Sequence, residues 1–211
     1  MIITVVYDND AKEPFLADWG FSCLIESKIK ILFDTGANSK ILEHNLSMID
    51  VDDFDYIFLS HEHYDHIGGL NAVIDKTSYV LALKTFSKRL KDFIKSKAEL
   101  IEVVGPFEFE KNFITTGILG RALNEQSLLI KTIKGFFVIT GCSHPGLDNI
   151  LRKAEEFGKV IGVMGGFHGF SKIDFLRSYE LVIPCHCTYY KDEILKMENS
   201  KPCFAGCSFE I

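Results

Sequence analysis

The chain is poor in proline, with 5 in 211 residues, and it holds a single tryptophan. Proline-rich linkers and recognition tracts are thereby excluded. Long apolar runs are missing too. Tyr56–Leu59 and Phe136–Ile139 are typical of the longest, far below the roughly 18–20 residues that cross a bilayer. Positive charge is in deficit: 23 Lys and Arg against 29 Asp and Glu leave a net charge of −6. No global basic field draws nucleic acid or anionic lipid. Six cysteines are too few for a disulfide scaffold. The first ten residues, MIITVVYDND, pass from β-branched residues into acids and lack the basic and apolar regions of an export signal. A cytoplasmic protein with reduced thiols is expected, its cysteines acting as small buried hydrophobes, ligands or reactive groups.

What is present suits an ordinary globular protein, with 47% hydrophobic and 25% charged residues. The length suits a single domain over residues 1–211. Short β-branched or aromatic runs predict strands at 2–7, 21–27, 30–34, 56–60, 79–83 and 100–104. A second set follows at 107–115, 127–133, 136–140, 160–164 and 181–184. Lys134-Gly135 reads as a two-residue hairpin turn between two of these runs. Helical patterns lie at 39–46, 69–76, 85–96, 147–157, 173–178 and 191–198. The helix at 85–96 buries Phe86, Leu90, Phe93 and Ile94 on one stripe; its lysines and Arg89 read as a solvated face. Each half of the chain has a sheet-forming run and then strand–loop–helix units. The fold class expected is α/β (α+β): a four-layer αβ/βα sandwich of two mixed β-sheets with helices outside.

The chemistry is concentrated in the histidines. The apolar run ending at Ser60 leads directly into His61-Glu-His63-Tyr-Asp65-His66-Ile-Gly68-Gly69. On an extended segment His61 and His63 face the same way, and Asp65 and His66 fall where the chain turns. Three histidines and an aspartate beside a buried strand are costly unless something pairs them. Imidazole with carboxylate suits zinc, iron or manganese rather than calcium. Three later runs end in Gly141-Cys142-Ser143-His144, Gly165-Gly166-Phe167-His168 and Pro184-Cys185-His186-Cys187. Six of the seven histidines thus lie at strand ends or the loops after them, where sites are built. His44 reads as an ordinary surface or packing residue.

The H-x-H-x-D-H pattern, with Leu32-Phe-Asp34-Thr-Gly36 upstream, resembles the metallo-β-lactamase superfamily. The later Glu125-Gln126-Ser127-Leu128, Gly-Cys-x-His-Pro-Gly, Gly-Gly-Phe-His and Pro-x-His-Cys-Thr segments narrow the likeness. In that order they resemble a branch of metal-dependent hydrolases that includes archaeal dihydropterin–ribofuranosylaminobenzene phosphate synthases. The resemblance implies a dinuclear site for two divalent ions, zinc first, with manganese and iron as alternatives. It gives His61, His63 and His144 to the first ion, and Asp65, His66 and His186 to the second. Asp34 would orient a ligand. His168 would be a substrate or proton-transfer group, or an outer ligand; a histidine bonded to a loop carbonyl is the plainer alternative. His63 matches the hydrolytic sites rather than the diiron branch, which has glutamate there. Where many members carry a bridging aspartate this chain has Cys142, a candidate thiolate ligand two residues from His144; the favoured alternatives are a bridge of hydroxide or substrate oxygen alone, or one weakly held ion.

Three functions follow from that resemblance. The first is a metal-dependent hydrolase acting on a phosphoester, lactone or amide, with Asp65 steering the nucleophile. The second is a transferase condensing a dihydropterin diphosphate with an aminobenzene ribofuranosyl phosphate. The third is a non-catalytic metal-binding protein. The expected partner is a small anionic substrate, with no nucleic acid and no membrane. Phe167, Phe170, Tyr189 and Tyr190 offer stacking walls for a pterin, or ordinary packing. Cys185, Cys187, Cys203 and Cys207 read as packing residues rather than a second metal site, because alternation turns Cys185 and Cys187 away from His186.

Overall fold

The computed structural model describes residues 1–211. The chain forms two compact units, Met1–Val103 with Phe204–Ile211, and Val104–Cys203. The first unit contains β1 (Ile2–Tyr7), β2 (Ser22–Glu26), β3 (Lys30–Phe33), β4 (Phe54–Phe58), β5 (Thr77–Leu83) and β6 (Glu99–Val103). Its helices are α1 (Ser39–Ser47), α2 (Tyr64–Ile67), α3 (Leu70–Val73) and α4 (Lys88–Lys95). The second unit has β7 (Phe107–Glu110), β8 (Phe113–Thr115), β9 (Leu128–Lys131), β10 (Phe136–Thr140), β11 (Val160–Gly166) and β12 (Leu181–Cys185), with α5 (Leu147–Glu155) and α6 (Lys191–Ile194). β13 (Ser208–Glu210) returns to the first unit and pairs with β1.

Both sheets are mixed, and they follow one plan. In the first, ordered β13-β1-β2-β3-β4-β5-β6, the pairs from β13 to β3 are antiparallel and those from β3 to β6 are parallel. In the second, ordered β12-β11-β10-β9-β8-β7, β7 to β10 form an antiparallel meander and β10 to β12 are parallel. Parallel pairing requires a crossover, which the helices supply. The buried positions of the parallel strands are predominantly apolar, as expected where both faces are covered. β10 is buried along its whole length as Phe-Phe-Val-Ile-Thr. α5 buries Leu147, Ile150, Leu151 and Ala154, a stripe at i, i+3, i+4 and i+7 against β10 and β11. Burying each of its three large members contributes about 1.5–3 kcal/mol. This is the two-sheet architecture with flanking helices expected from the sequence. No helix is long and apolar enough to cross a membrane.

Several local expectations are corrected. The run 107–115 is not one strand but the hairpin β7–β8, turning at Asn112 in a left-handed conformation with φ 74°. Asparagine tolerates that region, so a turn signal was present. The β9–β10 connection spans residues 132–135 rather than two, and Thr132 N–H donates to Gly135 O at 2.8 Å. The pattern at 69–76 breaks into α3 and a 3₁₀ turn at Ile74–Lys76. Residues 173–178 are likewise 3₁₀. Asp65 and His66 sit within the short helix α2 rather than in a turn.

Gly68 and Gly69 follow α2 with ordinary right-handed backbone, φ −64° and −81°. Their need is close approach, not a special turn. A Cβ on Gly68 would lie 2.2 Å from Ala37 O, and one on Gly69 2.1 Å from Thr35 O. The 34–37 loop therefore rests directly on the backbone after α2. Gly68→Ala is expected to destabilise the protein by about 3 kcal/mol through backbone overlap. Gly169→Ala, where nothing lies within 4 Å, should change stability by less than about 0.5 kcal/mol. Urea denaturation followed by circular dichroism compares them. Equal midpoints would contradict the packing role of Gly68.

Candidate metal centre

The histidines lie at the C-terminal ends of parallel strands, where open α/β sheets build their sites. β3 leads to Asp34, β4 to His61, β10 to His144, β11 to His168 and β12 to His186. Six non-glycine residues have positive φ, and four of them are Asp34 (53°), Ser143 (59°), His168 (47°) and His186 (45°). Such backbone costs about 1–3 kcal/mol per residue. It collects on the loops that carry the candidate ligands.

In the first unit the centre is organised by Asp34, which is fully buried. Its Oδ1 accepts from Ser60 N–H at 2.7 Å, and its Oδ2 accepts from Ser60 Oγ–H at 2.6 Å and from His66 Nδ1 at 2.7 Å. The serine has one hydroxyl proton, and Asp34 receives it. The 2.9 Å contact between Ser60 Oγ and His61 Nδ1 therefore has the imidazole as donor. In its neutral form each imidazole therefore carries its proton on Nδ1 and its lone pair on Nε2. This is the tautomer a metal requires, fixed by groups behind the ring.

The same side chains are tightly gathered. Ligand atoms of Asp34, His61 and His66 lie within 4.8 Å of one another. Asp65 Oδ2 is 4.0 Å from His66 Nε2. The His61 ring centroid is 4.7 Å from that of His63 and 4.2 Å from that of His66. His63 is exposed and occupies the N-cap position of α2 with extended backbone, φ −76° and ψ 146°. Glu62 points away between the two histidines and accepts from Ser87 N–H at 2.6 Å and from Ser87 Oγ–H. The alternation read from the sequence thus holds from 61 to 63. Thr35 fastens α2 to the loop after β3: its N–H and Oγ–H donate to His66 O at 2.7 and 3.0 Å.

Two contributors were not visible in the sequence. Trp19, 56% exposed, donates its indole N–H to Asp65 Oδ2 at 2.9 Å. Nothing in the flanking segment marks that residue, 46 positions from its partner. Ser60 was read only as the end of a strand.

In the second unit the loops after β10, β11 and β12 are knit together. Gly166 N–H donates to Gly141 O at 2.9 Å, Ser143 Oγ–H to Gly166 O at 2.7 Å, and Phe167 N–H to Thr188 Oγ at 3.0 Å. Glu125, fully buried, shapes the first loop. Its Oε1 accepts from Thr140 Oγ–H at 2.8 Å and from the N–H groups of Gly141, Cys142 and Ser143 at 3.0, 3.1 and 3.0 Å. Its Oε2 accepts from His144 N–H at 2.9 Å. A carboxylate filling a concave run of amides is a strong, charge-assisted arrangement. Holding these amides is the task of the glutamate in the Glu125-Gln-Ser motif. The His144 and His168 ring centroids are 5.2 Å apart. His168 is exposed, and His186 is buried.

The cysteine reading is corrected in one respect. It assumed extended backbone at 185–187, but His186 is left-handed and breaks the alternation. Cys185 is buried, with its Sγ 3.4 Å from Ile183 O. Cys187 instead turns toward the first loop, its Sγ 3.3 Å from Cys142 Sγ.

The fit of these residues to a divalent cation rests on their donor chemistry: imidazole Nε2 lone pairs and carboxylate oxygens, gathered and oriented from behind. A family model described as the metallo-beta-lactamase superfamily matches residues 20–89. The protein MJ0448 of Methanocaldococcus jannaschii is 33% identical, over 90% of this chain and 91% of its own. From the same organism, 7,8-dihydropterin-6-methyl-4-(beta-D-ribofuranosyl)-aminobenzene-5'-phosphate synthase is 27% identical, over 90% of this chain and 88% of its own. The crystal structure of Tm1679, a metal-dependent hydrolase of the beta-lactamase superfamily, superposes with a TM-score of 0.82 and 29% identity, covering 100% of this chain and 99% of that one.

Asp34→Asn would put an amide N–H₂ against donors that need an acceptor. The expected cost is about 3 kcal/mol, or a fall in Tm of roughly 6–12 °C. Differential scanning calorimetry of metal-free protein checks this. An unchanged Tm would contradict the hydrogen-bond assignment.

Proposed function

The chain belongs to the metallo-β-lactamase superfamily, and on that premise we propose that it is a metal-dependent hydrolase of small anionic substrates. The observation that carries the reading is the Asp34–Ser60–His61–His66 array, which presents two Nε2 lone pairs beside the Asp65 carboxylate. The ligand sets follow the family resemblance residue by residue. On that resemblance His61, His63 and His144 would hold one divalent ion, and Asp65, His66 and His186 would hold the other, zinc being the first choice for imidazole and carboxylate donors. Such ions supply a nucleophile at neutral pH by lowering the pKa of coordinated water toward about 7, and they polarise the substrate oxygen.

The chain's own residues do the rest. Asp34 fixes the orientation of His66 directly and that of His61 through Ser60. Trp19 holds the Asp65 carboxylate by its Oδ2. Glu125 fixes the backbone from which His144 projects. We assign proton transfer to the leaving group to His168, a reading supported by its exposure and its ring contact with His144. Substrates are phosphoesters, lactones or amides, and the reaction runs in the cytoplasm, where six thiols stay reduced.

A second reading has one specific support, the likeness to the pterin synthase over 90% of this chain. The site would then assist loss of pyrophosphate from a dihydropterin diphosphate as an arylamine ribofuranosyl phosphate attacks.

Elemental mass spectrometry of purified protein is expected to find about two divalent ions per chain, falling in His63→Ala. Turnover of a phosphoester, lactone and amide panel should fall at least about 100-fold on chelation and return with zinc. Full activity in chelator would overturn the reading. Release of pyrophosphate from the two pterin-pathway substrates, with no hydrolysis of the panel, would move the assignment to the transferase.

A further inference from the structure

We infer that Arg121 is a specificity residue that binds an anionic group of the substrate, a phosphate or carboxylate carried on a small apolar body. The inference deepens the hydrolase reading and rests on it only for the reacting end, near His144.

Arg121 sits on a tight loop between Leu119 and Glu125. Those two residues exchange backbone hydrogen bonds of 2.9 and 3.0 Å, closing the loop at its base. Gly120 opens the turn with φ 93°, and a Cβ there would meet Leu123 O at 2.3 Å. The loop is thus narrow and defined by its own backbone. Its anchor, Glu125, also accepts the His144 N–H at 2.9 Å. One residue therefore fixes the arginine loop by its main chain and the His144 loop by its side chain.

Between these two loops lies a pocket of about 570 Å³. Arg121, His144 and Asn149 are its polar lining, and Ile118, Leu119 and Leu123 give it apolar walls. No carboxylate lines it. Arg121 is exposed and takes part in no ion pair.

A second pocket, of about 450 Å³, touches His144 from elsewhere and includes Lys172 and Asp148. There the lining cation, Lys172, is already paired. Lys172 Nζ donates to Asp148 Oδ2 at 2.7 Å, and Arg152 approaches the same oxygen at 3.7 Å. The hydrogen bond from Lys172 holds the Asp148 carboxyl below its usual range, so it stays ionised and neutralises its partner. Of these two pockets, the Arg121 one lines His144 with a cation that has no carboxylate partner. In a chain of net charge −6, that is where an anion is attracted and a planar, five-donor fork can grip it.

The test is isothermal titration calorimetry of metal-loaded wild type, Arg121→Gln and Arg121→Lys with phenylphosphonate, benzoate and benzyl alcohol. Loss of one charge-assisted contact predicts a roughly 10- to 100-fold rise in Kd for the anions in Arg121→Gln. Partial recovery is expected in Arg121→Lys, with no change for benzyl alcohol. A rise for phenylphosphonate alone assigns the site to phosphate, one for benzoate alone to carboxylate. Equal anion affinities in wild type and Arg121→Gln would overturn the inference, as would equal weakening of the neutral probe. Because binding is read rather than turnover, an inactive enzyme that still shows the Arg121 effect would refute the hydrolase reading alone.

Discussion

A carboxylate with no exposure to water is costly to bury, by several kcal/mol even after relaxation, and Asp34 is such a group. The first unit is arranged to satisfy it. β3 ends at Phe33 and β4 at Phe58 in parallel register, which brings Ser60 and its backbone amide alongside the carboxylate. The 34–37 loop then lies against the glycines after α2, and His66 completes the donor set. Removing any of these parts leaves a buried charge short of a donor. The same arrangement sets the proton position on two imidazoles, so the demands of folding and of metal ligation are met by one set of bonds.

The second unit meets a parallel problem with a different residue. Its β10–α5 loop carries a run of amides with few backbone partners, and Glu125 supplies the acceptor for four of them. Each unit thus uses one buried carboxylate to hold a histidine-bearing loop after a parallel strand. In the first unit the carboxylate touches the imidazoles themselves; in the second it touches the backbone. The left-handed residues Ser143, His168 and His186 show how sharply these loops must turn to project their side chains.

Much of this was legible in the sequence. β1 and β10 begin and end where the apolar runs do, and the clustering of His61, His63, Asp65 and His66 needs no structure to be noticed. What escaped did so for physical reasons. α2 and β13, of four and three residues, are too short to show a period. The β7–β8 turn was hidden by flanking phenylalanines that continue the strand-like composition across Asn112. Trp19 and Glu125 act over 46 and up to 19 positions, a long-range pairing that no local pattern encodes. The inference about Cys185 and Cys187 failed because it extended strand alternation through a residue with φ 45°.

Metal ligation in the first unit depends on which nitrogen each buried imidazole offers. Asp34 and Ser60 occupy the Nδ1 atoms of His66 and His61, so any bound metal must meet Nε2. Anomalous diffraction at the zinc edge from crystals grown with zinc tests this directly. Zinc is expected at about 2.0–2.1 Å from the Nε2 atoms of His61 and His66. Zinc bound at Nδ1 of either residue, or no anomalous density beside them, would contradict it.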